Sequence, residues 1–458
     1  MRIELRFPLM LSEIYKSLLQ ASSLPFGSDI QINAITTDSR ECEPNDLFFA
    51  IRGEHEDGEK YIAQALSKGA FAISHNKLSG AIQVEDTSDA LLKVASLYKE
   101  KTNVSKTIAI TGSVGKSTTV RFLNRILSTC LRVHSPIGNF NNHLGVPYTV
   151  FNIQENSKVL ITELGMNHEN EISALSKCVS PDISVITSIG SSHIGNFGSR
   201  EKIARAKLEI LDGMTGGYVL VPYEEELLAN LPRALYVARN NSLSDFSLNN
   251  AFDSSYTLKS PLGQTAGISF FNTREHLLYD LAFAVSVSKL IGMTDEEIIN
   301  GVQMITESDL RQRFITLDGY TVFDDSYNAS PESIEADIKY LFGAFDTYSA
   351  FLGDVLELGN LSESIHEGIG RMVARYRPNN LYLIGKFATS TAKGAIDGGM
   401  PESRIFINTN ASDPQYSIRQ INDNHAPGEC ILFKASRRLR LDKIADMIIE
   451  EEREKNER

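Results

Sequence analysis

Cysteine is scarce in this chain. Cys42, Cys130, Cys178 and Cys430 are the only four in 458 residues, and no two form a CxxC pair. That spacing excludes a metal ribbon or a disulfide framework and points to reduced thiols in a cytoplasmic protein. No run approaches the roughly 18 apolar residues that a membrane span needs. The first residues, Met1-Arg2-Ile3-Glu4-Leu5-Arg6-Phe7-Pro8, lack the apolar stretch of a secretory leader, so none is expected. Positive charge is short as well: 45 Lys and Arg stand against 58 Asp and Glu, a net charge of −13. A nucleic-acid partner is thereby disfavoured, whereas small anionic ligands need only a local positive site. No internal repeat of solenoid period is present.

What is there reads as soluble and globular, with 42% hydrophobic and 22% charged residues. The length exceeds one ordinary core and predicts two or three domains. Residues 1–103 mix short strands and helices. Within them, residues 45–51 are a turn entering a buried strand, and residues 61–68 are a helix stopped at Gly69. Residues 102–105 form a linker. Residues 104–308 alternate strands with helices, and the β-branched runs at 159–163 and 183–188 suit a parallel sheet covered on both faces. The polar passage 240–255 reads as loops and a hairpin, and 277–290 as a helix. Residues 309–458 begin a second alternation, with strands at 321–324, 349–353, 380–385 and 430–434. That pattern predicts a doubly wound domain with ligands at the carboxyl ends of its strands. The tail, 450–458, reads as a solvated helix end.

The densest chemical signal is Thr111-Gly112-Ser113-Val114-Gly115-Lys116-Ser117-Thr118, between a short apolar run and a helical pattern over 119–127. A strand, a glycine turn and a helix opening at Lys-Ser make a phosphate cradle, although Ile110 stands where the full Walker spacing has its first glycine. Backbone N–H groups and the helix N-terminus favour anions there. Lys116 would bridge the outer phosphates of a nucleotide, and the Ser117 hydroxyl would ligate Mg²⁺. Glu163 ends a strand and is placed to hold Mg²⁺ with Ser117, or, on its own segment alone, to serve as a capping carboxylate. His193 follows another strand end and is either structural or a second metal contact. Lys207 lies in an amphipathic helix, where a solvated ammonium is the plain expectation. Beside a metal site, burial and cation repulsion would instead lower its pKa, and a neutral amine can take up CO₂ to become a metal-binding carbamate. Residues 138–147, with Asn139, Asn141 and Asn142, carry more side-chain donors than a generic loop needs, as a substrate loop would. Past a later strand, Asp325 is placed to accept from a ribose and Asn328 to contact nucleotide. Lys434 and Arg437 end one more strand and are placed to meet anionic substrate.

Taken together these motifs resemble the Mur ligase family. The resemblance spans essentially the whole chain: TDSR at 37–40 with NDLF at 45–48, TGSVGKST, GNFNNHLGVP, ELGMNHENEI, SSHIGNFGS and ARAKLEI, then DDSYNASP, LGDVLELG with His366, and KASR. It implies an α/β fold of three domains. These are a small mixed α/β domain at 1–103 for a UDP-sugar substrate, a central P-loop ATPase domain with a mainly parallel sheet at 104–308, and a Rossmann-like doubly wound domain at 309–458. It implies an ATP-dependent amide ligase of peptidoglycan precursor synthesis. The substrates would be UDP-N-acetylmuramoyl-tripeptide and D-alanyl-D-alanine, joined through an acyl phosphate. By the same resemblance Thr37, Ser39 and Arg40 lie near the uridine nucleotide sugar, and Gly112, Ser113, Gly115, Lys116, Ser117 and Thr118 hold ATP with Mg²⁺. Glu163 ligates that Mg²⁺, His193 the second metal, and Lys207 takes the place of a carbamylated lysine. Arg311, Asp325 and Asn328 reach ATP from the last domain. A cytoplasmic monomer is expected.

The chain departs from the family pattern at four positions. Ser117 stands where Thr is usual, Ala435 where Gly is usual, and Leu277 and Asp280 where Asn is usual near adenine. Two alternatives therefore stand beside the main reading: a related ligase with a different acceptor or amine, and a nucleotide-binding protein without ligase activity.

Overall fold

Every residue from Thr107 to Thr111 is buried, the mark of a strand covered on both faces. In the computed structural model this strand, Lys106–Thr111, pairs in parallel with Val159–Glu163 on one side and Ile183–Ile186 on the other. They lie near one edge of a nine-stranded sheet that runs on through Tyr218–Pro222 and Ala234–Arg239. The structure describes residues 1–19, 29–53, 56–252, 254–410 and 413–456. The expected tail reaches Asn456 as the end of the helix Leu441–Asn456, while residues 457 and 458 lie outside the described residues.

The chain divides into two compact units. The first holds residues 1–188, 204–273 and 277–305, and the second holds 189–203, 274–276 and 306–458.

In the first unit, a five-stranded sheet joins the antiparallel pair Arg2–Glu4 and Ala34–Thr36 to three parallel strands, Leu47–Phe49, Phe71–Ser74 and Ala81–Gln83. Asn45 takes a left-handed φ of 67° at the turn before Leu47, and Gly69, at φ +81°, follows the helix Ile62–Ser67 and its cap Lys68. The helix Thr87–Glu100 is capped by Asp86, which accepts from the N–H groups of Ser88 and Asp89. Its Tyr98 ring packs on Phe151, and its hydroxyl accepts from the N–H groups of Arg6 and Phe7 at 3.0 and 3.2 Å. The same side chain thus joins the N-terminal strands to the helix Gly145–Phe151 beside the nine-stranded sheet.

Residues 240–255 contain the loop and much of the hairpin that their sequence suggested. Phe246–Phe252 is a strand, parallel to Ala234–Arg239 and antiparallel to Ser255–Ser260, which in turn pairs with Gly263–Ser269. Phe246 and Leu248 are buried on one face while Asn250 and Phe252 are not, so tertiary packing overrides the low strand propensity of the asparagines.

The second unit is a six-stranded sheet in the order Arg313–Thr316, Tyr320–Asp324, Glu429–Lys434, Tyr348–Gly353, Leu381–Ile384, Ile405–Asn408. Only the first pairing is antiparallel. Ile334, Ile338, Ile369, Val373 and Ala395 pack on one face, and Ile418, Ile421, Leu441, Ile444 and Ile448 on the other. Two apolar faces from one chain are what the alternating strand–helix pattern demands.

Candidate active site

The phosphate loop is built as its sequence requires. Gly115, at φ +87°, caps the helix Lys116–Leu127, and Gly112 sits at φ +151°. A Cβ at Gly112 would lie 1.9 Å from Thr187 Oγ1, and one at Gly115 would lie 2.3 Å from Asp280 Oδ1, so both positions exclude a side chain. The neighbouring strand end holds the loop in shape: Ser113 N–H donates to Ser188 O at 3.0 Å, and Val114 N–H donates to Ser188 Oγ at 2.9 Å. Lys116 Nζ lies over the turn and donates to the carbonyls of Gly112 and Ser113 at 2.7 and 3.3 Å. Thr118 follows in the first turn of the helix, partly buried.

Beside the loop, Ser117 Oγ donates to one oxygen of Glu163, and Asn141 Nδ2 donates to the other at 2.8 Å. Glu163 is 3% exposed, yet among the described residues no ammonium or guanidinium pairs with it. A buried carboxylate with a hydroxyl at its side and no cation is a hard-oxygen donor set of the kind Mg²⁺ takes, with phosphates and water completing its shell. Among the described residues no group of three or more His, Cys, Asp or Glu side chains forms a closed metal cage. A phosphate-bridging Mg²⁺ does not need one.

Lys207 and Asp280 are also buried in this unit. Lys207 is 2% exposed, and among the described residues it has no hydrogen-bond or ion-pair partner. Burial, and then the Lys116 ammonium, push its pKa well below the usual lysine range. The solvated-surface reading of this helix is therefore corrected: the residue faces inward. Asp280 is pushed the other way, well above the usual range, because burial outweighs its one hydrogen bond, from Thr119 Oγ1 at 3.2 Å. It lies against Gly115, so this departure from the family pattern touches the phosphate loop itself.

The remaining residues expected to meet substrate in this unit differ in setting. Thr37 Oγ1 is 2.5 Å from Tyr148 Oη, and Ser39 Oγ donates to Gln64 Oε1 at 2.7 Å. Arg40 is exposed and grips Asp38 through Nε and Nη2, at 2.9 and 2.6 Å, which holds the Asp38 carboxyl down at about 2. Asn139 is exposed. Asn142 accepts from the N–H groups of Leu144 and Gly145 at 3.2 and 2.9 Å, and so caps the buried helix Gly145–Phe151. Of the three asparagines, only Asn141 reaches the Glu163 carboxylate.

In the second unit, Asp325, Lys434 and two residues not singled out in the sequence form a buried network. Lys434 Nζ contacts Asp325 and lies 2.9 Å from Asp337 Oδ2, while Gln312 Nε2 donates to Asp325 at 3.1 Å and to Asp337 at 3.0 Å. Burial works against every charge here. The ammonium nevertheless holds Asp325 below its usual range, and the paired carboxylates hold Lys434 above its own. Asp337 is pushed up to about 8, by burial first. Lys434 is therefore not an open anion hook, as its place at a strand end suggested, but the centre of an internal cluster. Arg311 lies 3.9 Å above the Tyr327 ring and Arg437 5.3 Å from it, so the two expected arginines meet around a tyrosine that had no expected role. Asn328, in the same loop, is exposed.

His193 belongs to the second unit, at φ +63° with Nδ1 against the carboxylate of Glu357. Glu357, Gln312, Asp337 and Tyr327 are the residues that local spacing did not reveal. Each acquires its place through a partner far away in the chain.

Comparison with known proteins bears on all of this. The Mur ligase middle domain matches residues 110–283, and the Mur ligase family, catalytic domain, matches residues 31–98. The UDP-N-acetylmuramoyl-tripeptide–D-alanyl-D-alanine ligase of Bacillus subtilis is 32% identical over 92% of this chain and 93% of its own length. The ligase of the same name from Haemophilus influenzae is 31% identical over 83% and 86%. The crystal structure of MurF from Acinetobacter baumannii superposes with a TM-score of 0.85 at 27% identity, over 98% of this chain and all of that one. Identity at this level along nearly the full length of both chains leaves one conclusion: the chain belongs to the Mur ligase family.

Proposed function

We propose that this chain is an ATP-dependent amide ligase that adds D-alanyl-D-alanine to UDP-N-acetylmuramoyl-tripeptide in peptidoglycan precursor synthesis. The observation that carries the reading is Glu163. It is a buried carboxylate without a cation, braced by Ser117 and Asn141, at the mouth of a phosphate loop whose glycines admit no side chain. Near-full-length likeness to ligases of that name supports it. In this reading residues 1–103 take the UDP sugar, 104–308 the nucleotide and 309–458 the incoming amine.

The terminal carboxylate of the tripeptide attacks the γ-phosphate of ATP, releasing ADP and leaving an acyl phosphate. The amine of the dipeptide then displaces phosphate and forms the amide. The loop N–H groups and Lys116 hold and orient the phosphates, which is where catalysis of phosphoryl transfer resides. Ser117 and Glu163 would hold Mg²⁺, which would supply charge neutralisation for phosphoryl transfer. Asn141 fixes the Glu163 carboxylate, and His193 ligates a second cation. Lys207, whose burial shifts it toward the neutral amine, could form an N–C bond with CO₂ and lose one proton, and the resulting carbamate would be a ligand for a cation. Thr37, Ser39 and Arg40 bind the uridine nucleotide sugar, and Arg311, Asp325 and Asn328 the nucleotide. The enzyme works as a cytoplasmic monomer. Among the described residues no helix is long and apolar enough to cross a membrane.

The test is ADP release with Mg-ATP, UDP-N-acetylmuramoyl-tripeptide and D-alanyl-D-alanine, with product mass read in parallel. Release that requires all three, and a product heavier by one dipeptide less water, is the expected result. Lys116→Ala abolishes that release. ATP binding without substrate-dependent release would refute the assignment.

A further inference from the structure

The segment carrying His193 is fastened to the loop after the strand Tyr348–Gly353 by main chain. Gly195 N–H donates to Glu357 O at 3.0 Å, and the two backbones approach so closely that a Cβ at Gly195 would lie 2.4 Å from Gly359 N. Ser191 N–H donates to Glu332 Oε1 at 2.7 Å, and Ile194 packs against the core of the second unit. Within this clamp His193 and Glu357 both hold left-handed backbone, at φ 63° and 65°, and their side chains meet, the Glu357 carboxylate on Nδ1 of the imidazole. A clamp made of main chain fixes where the histidine is. It does not fix which ring nitrogen carries the proton.

That second task falls to the carboxylate. A neutral imidazole has one N–H and one lone pair, and an acceptor at Nδ1 draws the proton there and turns the lone pair of Nε2 outward. The same contact orients the ring. We infer that Glu357 is the positioning residue of His193: it fixes the Nδ1–H tautomer and the ring plane, so that Nε2 is presented to a divalent cation. The inference rests on the reading of His193 as a metal ligand. It adds a carboxylate, 164 residues further along the chain, to the set that governs metal affinity.

The test uses the full chain with Mn²⁺ and a non-hydrolysable ATP analogue. Electron spin echo spectra read nitrogen modulation from an imidazole bound to Mn²⁺, and ¹⁵N–¹H correlation spectra of histidine-labelled protein read the tautomer. His193→Ala identifies both signals by removing them. Glu357→Ala is expected to lower Mn²⁺ affinity at this site by about ten- to a hundredfold and to release the Nδ1–H tautomer. Glu357→Gln keeps an acceptor at Nδ1, so it retains the tautomer and loses less affinity. The backbone clamp survives both changes, so the thermal midpoint stays close to that of the unaltered protein. Adding Glu357→Ala to His193→Ala lowers affinity no further. If Glu357→Ala leaves both tautomer and affinity unchanged while His193→Ala abolishes the nitrogen signal, Glu357 is a bystander and the role of His193 stands. If the nitrogen signal is missing in the unaltered protein, His193 is not a ligand and the inference falls with it.

Discussion

Lys207 and Asp280 are buried ionisable side chains without an ion-pair partner among the described residues, and both cost stability at neutral pH. The native lysine is shifted toward the neutral form while the unfolded chain binds a proton. The native carboxyl is shifted toward the protonated form relative to the unfolded chain. For Asp280, whose pKa is raised, stability is greatest below 3.8, the ordinary aspartate value, and falls as pH rises from there toward the raised native value. Asp280→Asn has no proton to lose. Its melting temperature should therefore gain on the parent as pH increases, by at most about 1.4 kcal/mol per pH unit in stability terms. A difference that stays flat with pH would mean that Asp280 is ionised in the native protein. At Lys207 the expected result is a separation of stability from function. Lys207→Ala is expected to lose turnover and to regain part of it with short carboxylates such as acetate, which would stand in for the proposed carbamate. Loss without rescue would assign the residue a packing role only. The loop Gly112–Lys116 was legible from sequence because its chemistry is contiguous. The inward face of Lys207 was not, because a lysine in a mildly amphipathic helix looks the same whether it meets water or a sheet.

Elements show the same division between local and distant causes. Gly115 and Asp86 announce their helices by type and position, and the doubly wound pattern of the second unit is carried by apolar runs at regular spacing. The hairpin at 240–255 was legible, but the parallel pairing of its strand Phe246–Phe252 with Ala234–Arg239 was not, because that partner is set in space and not by the local pattern. Asn142 is the instructive case in the asparagine-rich loop. Its type suits a substrate donor and a helix cap equally, and the structure uses it as a cap. Asn142→Ala should cost about 1 kcal/mol of stability, whereas Asn142→Asp, which can still cap, should cost little. Both should leave the KM for the uridine nucleotide substrate unchanged. A raised KM in the Asp variant would restore the substrate role.

At the scale of the molecule, the second unit is not a continuous piece of chain. It takes residues 189–203 and 274–276 from within the stretch that otherwise builds the first unit. Arg274 supplies a guanidinium about 5.5 to 5.7 Å from the rings of Phe314, Phe323 and Tyr340 and donates to Gln312, and Ile194 fills part of the core. A fragment of residues 306–458 lacks both contributions. It should unfold in urea with a broad transition at lower concentration than the same unit in the full chain. A sharp transition at the same midpoint would show the two inserted segments to be energetically idle. The three sheets were readable from strand spacing, but this interleaving was not, since nothing local in residues 189–203 says which sheet they will cover.

Interleaving also bears on how such a protein can be altered by recombination. A single crossover after residue 305 would transplant the carboxyl-terminal sheet without the histidine segment that its Gly359 and Glu357 are shaped to receive. The close passage of Gly195 against Gly359 tolerates no side chain, so foreign loops would have to match in two places at once. Exchange of specificity between relatives should therefore succeed when the short segments travel with the large one, and the inheritable module is a set of three pieces rather than one.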